Sequence, residues 1–214
     1  MKKEILDRIS QLGGDVSQVK GQMILDDLLS ITFNTVLYKR PVDTPWAKAE
    51  EEEPIFGLGE FIENHQELVE TNREALYQKI ITHFYQNTEE AYGQTFWQPV
   101  LFTPFKEGTA DYDNWYEGYF DDEMLVDLSE VEKVTGTRTG DFLQLFYSYG
   151  FPDQLYISLD DPEKENPTVF GTDHEVFFGE ITNEGALEAY FNQFMTRDEL
   201  IEIVAKALDK QQNK

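Results

Sequence analysis

Residues 173–175 read Asp-His-Glu, where an imidazole stands directly between two carboxylates. Such a triplet could bind a divalent metal ion or act as a general acid and base. The backbone decides between these roles, because successive side chains of a strand point to opposite faces. In the strand that we predict from about Thr168 to Ile181, His174 lies on one face, and Asp173 and Glu175 lie on the other. The pattern therefore favours a strand whose charged side chains bond locally, with no metal site and no catalytic residue.

The rest of the sequence contains few other patterns that carry chemistry. The absence of cysteine excludes disulfides, thiolate zinc sites and cysteine nucleophiles. His65 and His83 share no metal-ligand spacing with His174. No G-x-S-x-G motif is present, and the acidic segment 160–167 lacks the alternating ligands of an EF-hand loop. We therefore expect a non-enzymatic protein without a cofactor, and an enzyme with a carboxylate- or histidine-centred site is the alternative.

The charge of the chain restricts its partners. The 214 residues include 42 acidic and 17 basic ones, which gives a formal net charge of −25. This exceeds the magnitude of about 2–8 that keeps a small domain soluble. A surface of this charge repels nucleic-acid phosphates and anionic lipid, and it speeds the encounter with a basic protein. We expect a basic protein partner and no nucleic acid; the alternative is that the acidic composition serves solubility alone.

The hydropathy pattern predicts a cytoplasmic protein. No run of about 18 apolar residues is present, so we expect no transmembrane helix and no membrane partner. Near the N-terminus, Ile5, Leu6, Ile9 and Leu12 recur at helical spacing with charged residues between them. This is the pattern of an amphipathic helix rather than of a signal peptide.

Aromatic and acidic residues are interleaved in the segment 111–123. The aromatic positions recur at helical spacing, which favours an amphipathic helix with a core face. Tryptophan and tyrosine residues with acidic residues around them also have the composition of a protein-binding hot spot. On that second interpretation, the predicted aromatic anchors and charged groups are Trp115, Tyr116, Tyr119, Asp121, Asp122, Asp173 and Glu175.

Helices and strands are mixed along the chain. Apolar residues at helical spacing predict helices near residues 5–12, 19–29, 76–85, 142–149, 187–194 and 200–208. The sequences at 71–74 and 196–199 fit the capping box, in which a Thr hydroxyl and a Glu carboxylate satisfy free N–H groups at a helix start. Because no regular alternation of strand and helix is visible, the pattern predicts an α+β fold.

Four segments have the composition of extended chain. The predicted strands are residues 31–38, residues 155–159 with one buried face, and residues 168–181. Residues 96–105 also read as extended, but Pro99 and Pro104 argue against a central strand, because proline cannot donate to a sheet ladder.

The C-terminal half resembles a known family. Residues 141–191 read DFLQLFYSYGFPDQLYISLDDPEKENPTVFGTDHEVFFGEITNEGALEAYF. The pattern begins with a helix that ends in a Gly-Phe-Pro turn. It continues with the strand LYISL, a loop with Asp-Pro and Asn-Pro, and the V-x-G-T-D-H-E strand. A helix with aromatic and leucine positions comes next. In this order the elements resemble the conserved block of the SUKH superfamily, which is named for the yeast cell-wall-synthesis regulator Smi/Knr and its bacterial relatives.

The resemblance implies a mixed or antiparallel sheet flanked by helices. It places the best-matching core at residues 126–208 of a single domain spanning 1–214, with residues 1–125 as a helical N-terminal elaboration; a small separate domain is the alternative. In bacteria it implies an immunity protein that binds and neutralises a toxin, often a nuclease. The yeast relative suggests instead a regulatory scaffold with several weak partners. No catalytic residues accompany the family.

Overall fold

A computed structural model describes residues 1–41, 53–86, 91–104, 106–113, 129–136, 140–149, 152–175 and 178–212. These residues form helices around a six-stranded antiparallel sheet, with a two-stranded antiparallel sheet beside it. The predicted α+β class is confirmed. No helix in the described part of the chain has the length and apolar character needed to cross a bilayer.

The elements are numbered in chain order. The helices are α1 Lys3–Gln11, α2 Ile24–Ser30, α3 Leu58–Glu63, α4 Gln66–Thr71, α5 Arg73–Gln86, α6 Ser129–Thr135, α7 Leu187–Phe191 and α8 Arg197–Gln212. The strands are β1 Gly14–Asp15, β2 Thr32–Phe33, β3 Leu37–Tyr38, β4 Gln94–Phe102, β5 Phe142–Ser148, β6 Gln154–Ser158, β7 Thr168–Thr172 and β8 Thr182–Ala186. The predicted strand over 31–38 is therefore divided between two sheets.

The large sheet has the strand order β3-β4-β5-β6-β7-β8. β3 pairs with only the first two residues of β4, through Leu37 with Thr95 and Tyr38 with Gln94. The register between β4 and β5 shifts between Trp97 and Val100, a stretch that contains Pro99. A proline inside a sheet is tolerated at such an irregularity, because it has no N–H to donate.

Both parts of the chain contribute to the sheet and to its main core. β3 and β4 lie before residue 126, and the other four strands of the large sheet lie after it. On one face, Ile5 and Ile9 of α1 pack in the same cluster as Leu155 of β6 and Tyr190 of α7. The N-terminal residues thus complete the layer of helices that covers this face.

The opposite face of the sheet is also buried. Tyr156 of β6 packs with Phe142, Phe170 and Phe178, and Val131 of α6 belongs to the same cluster. The prediction that residues 155–159 bury only one face is therefore wrong. The alternation of apolar and polar residues did not reveal the second buried face. Tyr156 occupies a polar position in that alternation, but its large ring is mainly apolar.

Two further predictions from periodicity are wrong. Residues 142–149, predicted as a helix, contain strand β5, in which Phe142, Leu143, Leu145 and Phe146 are buried. A dense apolar run fits a strand buried on both faces as well as it fits a helix. The strand predicted over 168–181 ends at Thr172 instead, and β8 begins ten residues later.

The two predicted capping boxes have different outcomes. At the start of α8, Thr196 N donates to Glu199 Oε2 at 2.7 Å, and Glu199 N donates to Thr196 Oγ1 at 3.1 Å. This box is confirmed. At α5 the prediction is one residue early, because the carboxamide of Asn72 accepts from Ala75 N at 3.1 Å. Thr71 closes α4 instead, by donating its hydroxyl to the backbone within that helix.

Candidate protein-binding surface at one end of the sheet

One end of the large sheet brings together the starts of β4 and β6 and the ends of β5 and β7. Thr95 of β4 pairs with Ser148 of β5, and Gln154 of β6 pairs with Thr172 of β7. Neighbouring strands lie about 4.8 Å apart, so the residues just beyond these positions gather at the same end. We define the sheet-end surface as Phe56, Tyr92, Tyr149, Asp153, Asp173, His174 and Glu175.

The acidic half of this surface is organised around His174 and Asp153. The Asp153 side chain is largely buried, whereas that of His174 is 64% exposed. Asp153 Oδ2 lies 2.5 Å from His174 Nδ1, and its Oδ1 accepts from His174 N at 3.2 Å. An ionised carboxylate only accepts, so Nδ1 carries the proton. The hydrogen bond to Asp153 and its negative charge raise the pKa of His174, with smaller contributions from Asp173 and Glu175.

Residues 173–175 form a turn rather than a strand. Asp173 Oδ1 accepts from Glu175 N at 2.7 Å, which is the local bond of an Asx turn. Thr172 donates its hydroxyl to Glu180 O at 3.1 Å and so closes the loop towards β8. The alternation that was expected to separate His174 from the two carboxylates is therefore absent at this point of the chain.

The turn places the donor atoms of Asp153, Asp173 and His174 within 4.8 Å of one another. One imidazole nitrogen and two carboxylates form a donor set that suits a first-row divalent ion. The strand on which the sequence argument rested is therefore absent at residues 173–175, and the donor set contains Asp153 in place of Glu175. A metal ion here would have to displace the proton that His174 shares with Asp153, because Nδ1 faces that carboxylate. The same contacts also fasten the turn to the start of β6.

The other half of the surface is aromatic. Phe56 is 59% exposed, and Tyr92 and Tyr149 are each 43% exposed. Tyr149 is held beside the start of β4, since its N–H donates to Gln94 O at 3.0 Å and its carbonyl accepts from Gly93 N at 3.5 Å. Exposed rings at the same end of a sheet as an acidic turn have the composition of a protein-binding hot spot.

The structure brings together two of the predicted site residues. Asp173 and Glu175 lie side by side in the turn, and both belong to the sheet-end surface. Asp173 is partly buried and Glu175 is exposed. The remaining predicted site residues lie outside the described part of the chain: Trp115, Tyr116, Tyr119, Asp121 and Asp122.

Sequence reasoning missed Asp153 and the three exposed rings. Asp153 is 21 residues from His174 along the chain, and only the pairing of β6 with β7 brings the two together. Tyr149 was assigned to the apolar face of a helix that does not form. Phe56 and Tyr92 are isolated aromatic residues in loops, a pattern that carries no functional signal by itself.

No protein-family model, curated protein or solved structure matches this chain. The resemblance of residues 141–191 to the SUKH block rests on the order of its sequence elements. One of these elements, the helix expected before the Gly-Phe-Pro turn, is strand β5 in the structure.

Proposed function

We propose that this chain is a non-enzymatic cytoplasmic protein of the SUKH type that neutralises a toxin by binding it directly. The proposed partner is a basic toxin domain, such as a nuclease, rather than a nucleic acid or a membrane. The observation that carries the proposal is the sheet-end surface, where three exposed aromatic rings lie at the same end of the sheet as the acidic turn.

Charge supports the choice of a basic partner. The net charge of −25 attracts a basic protein over a distance that salt limits to about a Debye length, roughly 10 Å at moderate ionic strength. Acidic side chains at the rim then mimic the phosphates of a nuclease substrate and fix the orientation of the complex. The exposed rings supply contact area at a small cost in side-chain entropy.

The contacts of His174 support a positioning role in place of catalysis. Its proton is engaged by Asp153, and Asp173 is engaged by the backbone of Glu175. Both carboxylates thus stabilise the turn that presents Glu175 to solvent. We propose no catalytic step for this cluster.

Co-expression with the C-terminal domain of the protein encoded by the upstream neighbouring gene tests the proposal. We expect this chain to restore growth and to form a single stoichiometric complex with that domain. We expect the double variant Tyr92→Ala, Tyr149→Ala to lose this protection. The matched control replaces two exposed apolar residues elsewhere, Met23→Ala and Leu29→Ala.

The result that would overturn the proposal is a failure to restore growth although both proteins are folded. Several weak partners and no tight one would indicate the regulatory scaffold that the yeast relative suggests. If the sheet-end variant and the control lose protection equally, the sheet-end surface is not the site that binds the toxin.

A further inference from the structure

A cavity of about 350 Å³ opens between α3, α5 and the start of β4, at the aromatic side of the sheet-end surface. Five phenylalanine and tyrosine rings line it, together with the imidazole of His83: Tyr38, Phe56, Phe61, Phe84 and Tyr92. Phe56 and Tyr92 form an exposed rim, whereas Tyr38 and Phe84 are buried. The cavity is therefore lined mainly by aromatic side chains, and the rings of Phe56 and Tyr92 are the ones most open to a ligand.

The deep wall of the cavity is fixed and neutral. The Tyr38 hydroxyl donates to Phe84 O at 2.8 Å and accepts from Gln94 Nε2 at 3.1 Å. The carboxamide oxygen of Gln94 in turn accepts from Ala91 N at 2.9 Å. Burial raises the pKa of Tyr38 to about 12, so the hydroxyl stays protonated. These polar groups support the wall and bring no charge to it.

The outer wall carries a negative charge. Glu60 lines the cavity, and among the described residues that line it there is no lysine or arginine, with His83 as the one basic side chain. Aromatic faces attract cations through their quadrupole, and a carboxylate at the rim adds a charge-assisted hydrogen bond. An anionic ligand is repelled by Glu60 and by the net charge of −25. The lining thus selects an organic cation.

We propose that this cavity receives the guanidinium group of an arginine side chain of the basic partner protein. Arginine is favoured over lysine, because a guanidinium stacks flat on rings and can bind a carboxylate through two N–H groups. Phe61 stacks on the rings of both His65 and His83, with centroids 4.3 Å and 4.7 Å away, which holds Phe61 in place beside Glu60. The inference rests on the proposed function, and it adds the residue type that the surface recognises.

The first experiment uses a probe in place of the partner. Nα-acetyl-L-arginine amide is titrated into the full chain, and the ring-proton resonances of Phe56 and Tyr92 are followed by NMR. We expect weak, saturable binding in the millimolar range, as for a single side chain, and no binding of the neutral isostere Nα-acetyl-L-citrulline amide. Glu60→Gln is expected to weaken arginine-amide binding about tenfold.

Glu63→Gln is the matched control, because Glu63 lies on the same helix but lines a different groove. Equal binding of the citrulline and arginine probes would overturn the proposal, and so would no binding of either. Equal weakening by Glu60→Gln and Glu63→Gln would overturn it as well. Because this titration needs no partner, its outcome does not depend on whether the toxin hypothesis is correct.

The second experiment assigns the source of the cation. In the complex with the toxin domain, the double variant Phe56→Ala, Glu60→Gln is expected to lower affinity more than tenfold, roughly the loss of one hot-spot contact. If the double variant binds the toxin domain with unchanged affinity while the wild-type chain still binds the probe, the cavity serves a free cation. That result would overturn the proposal that the guanidinium comes from the partner protein. Phe56 is exposed, so the variant is expected to fold.

Discussion

His174 Nδ1 lies 2.5 Å from Asp153 Oδ2, and this contact joins the turn after β7 to the start of β6. The two residues lie on neighbouring strand ends, where the carboxylate is largely buried and the imidazole is largely exposed. The pair therefore anchors a loop whose next described residue, Phe178, is fully buried against Tyr156.

The first prediction concerns the pH dependence of stability. The hydrogen bond and charge of Asp153 raise the folded-state pKa of His174 above its ordinary value of 6.5. The pair thus contributes its full stability below pH 6.5 and loses it as the pH rises through the higher folded-state pKa. We expect the melting temperature to fall as the pH rises above 6.5, and His174→Gln to reduce this fall.

His83→Gln is the control for this experiment, because His83 packs against the rings of Phe61 and Phe84. Calorimetry of the three proteins across the pH range gives the comparison. An unchanged pH profile in His174→Gln would show that the pair does not contribute to stability. A rise in melting temperature on adding Zn²⁺, lost in Asp153→Asn, would instead assign the cluster to a metal ion.

The second prediction concerns association with a basic partner. Asp173→Asn together with Glu175→Gln removes two charges from the acidic turn while retaining the acceptor that bonds to the Glu175 backbone. We expect association to slow about two- to fivefold, with a weaker salt dependence and an unchanged melting temperature. Glu163→Gln together with Glu165→Gln is the control, since it removes the same charge from the loop at the opposite end of β6 and β7. Equal slowing in both double variants would mean that net charge, rather than this turn, guides the encounter.

The third prediction concerns the start of α8. Burial alone would raise the pKa of Glu199, but the hydrogen bond from Thr196 N and the charges of Arg40 and Arg8 hold it at about 2. The stability from these contacts is present above the ordinary pKa of 4.5 and is lost as the pH falls towards 2. We expect Glu199→Ala to lower the free energy of unfolding by about 1–2 kcal/mol at neutral pH, because it removes a cap and two partly exposed ion pairs.

Glu202→Ala on the same helix is the comparison, because Glu202 pairs only with the exposed Lys206 among its described ion pairs. Its effect should stay within about 0.5 kcal/mol. Urea unfolding at neutral pH and at about pH 3, inside the window between the two pKa values, measures both variants. Equal effects at neutral pH would contradict a special role for Glu199.

The fourth prediction concerns the second face of the sheet. Phe178 is fully buried and packs with Phe142, Tyr156 and Phe170. We expect Phe178→Ala to cost about 3–5 kcal/mol of unfolding free energy, because it leaves a cavity under the loop. Phe56→Ala removes a ring of the same size that is 59% exposed, and it should cost less than about 1 kcal/mol. A small loss in Phe178→Ala, measured by urea unfolding, would show that the loop does not depend on this ring.

Local sequence signals predicted the elements whose structure is decided locally. The stripe in α1 and the reciprocal box between Thr196 and Glu199 are present in the structure. Residues 142–149 were assigned to the wrong element, because their apolar density arises from burial on both faces of a sheet. Periodicity contains no information about how many faces are covered.

The candidate site depends even more on tertiary pairing. Asp173 and Glu175 stood out as charges, but their arrangement requires Asp153, which the chain brings from the preceding strand. The cavity near Glu60 is formed by α3, α5 and the start of β4, which are separate elements that meet only in the folded chain. No local pattern of residues marks it, so its chemistry becomes visible only in the folded chain.

The place of β3 and β4 in the large sheet determines how this protein can be divided. A fragment that begins at residue 126 lacks both strands, and β5 would then become the sheet border with its N–H and C=O groups unpaired. The same truncation would remove α1 from above Leu155 and Tyr190. We therefore expect the stretch that resembles SUKH not to fold alone, and to aggregate when it is expressed without the residues before 126.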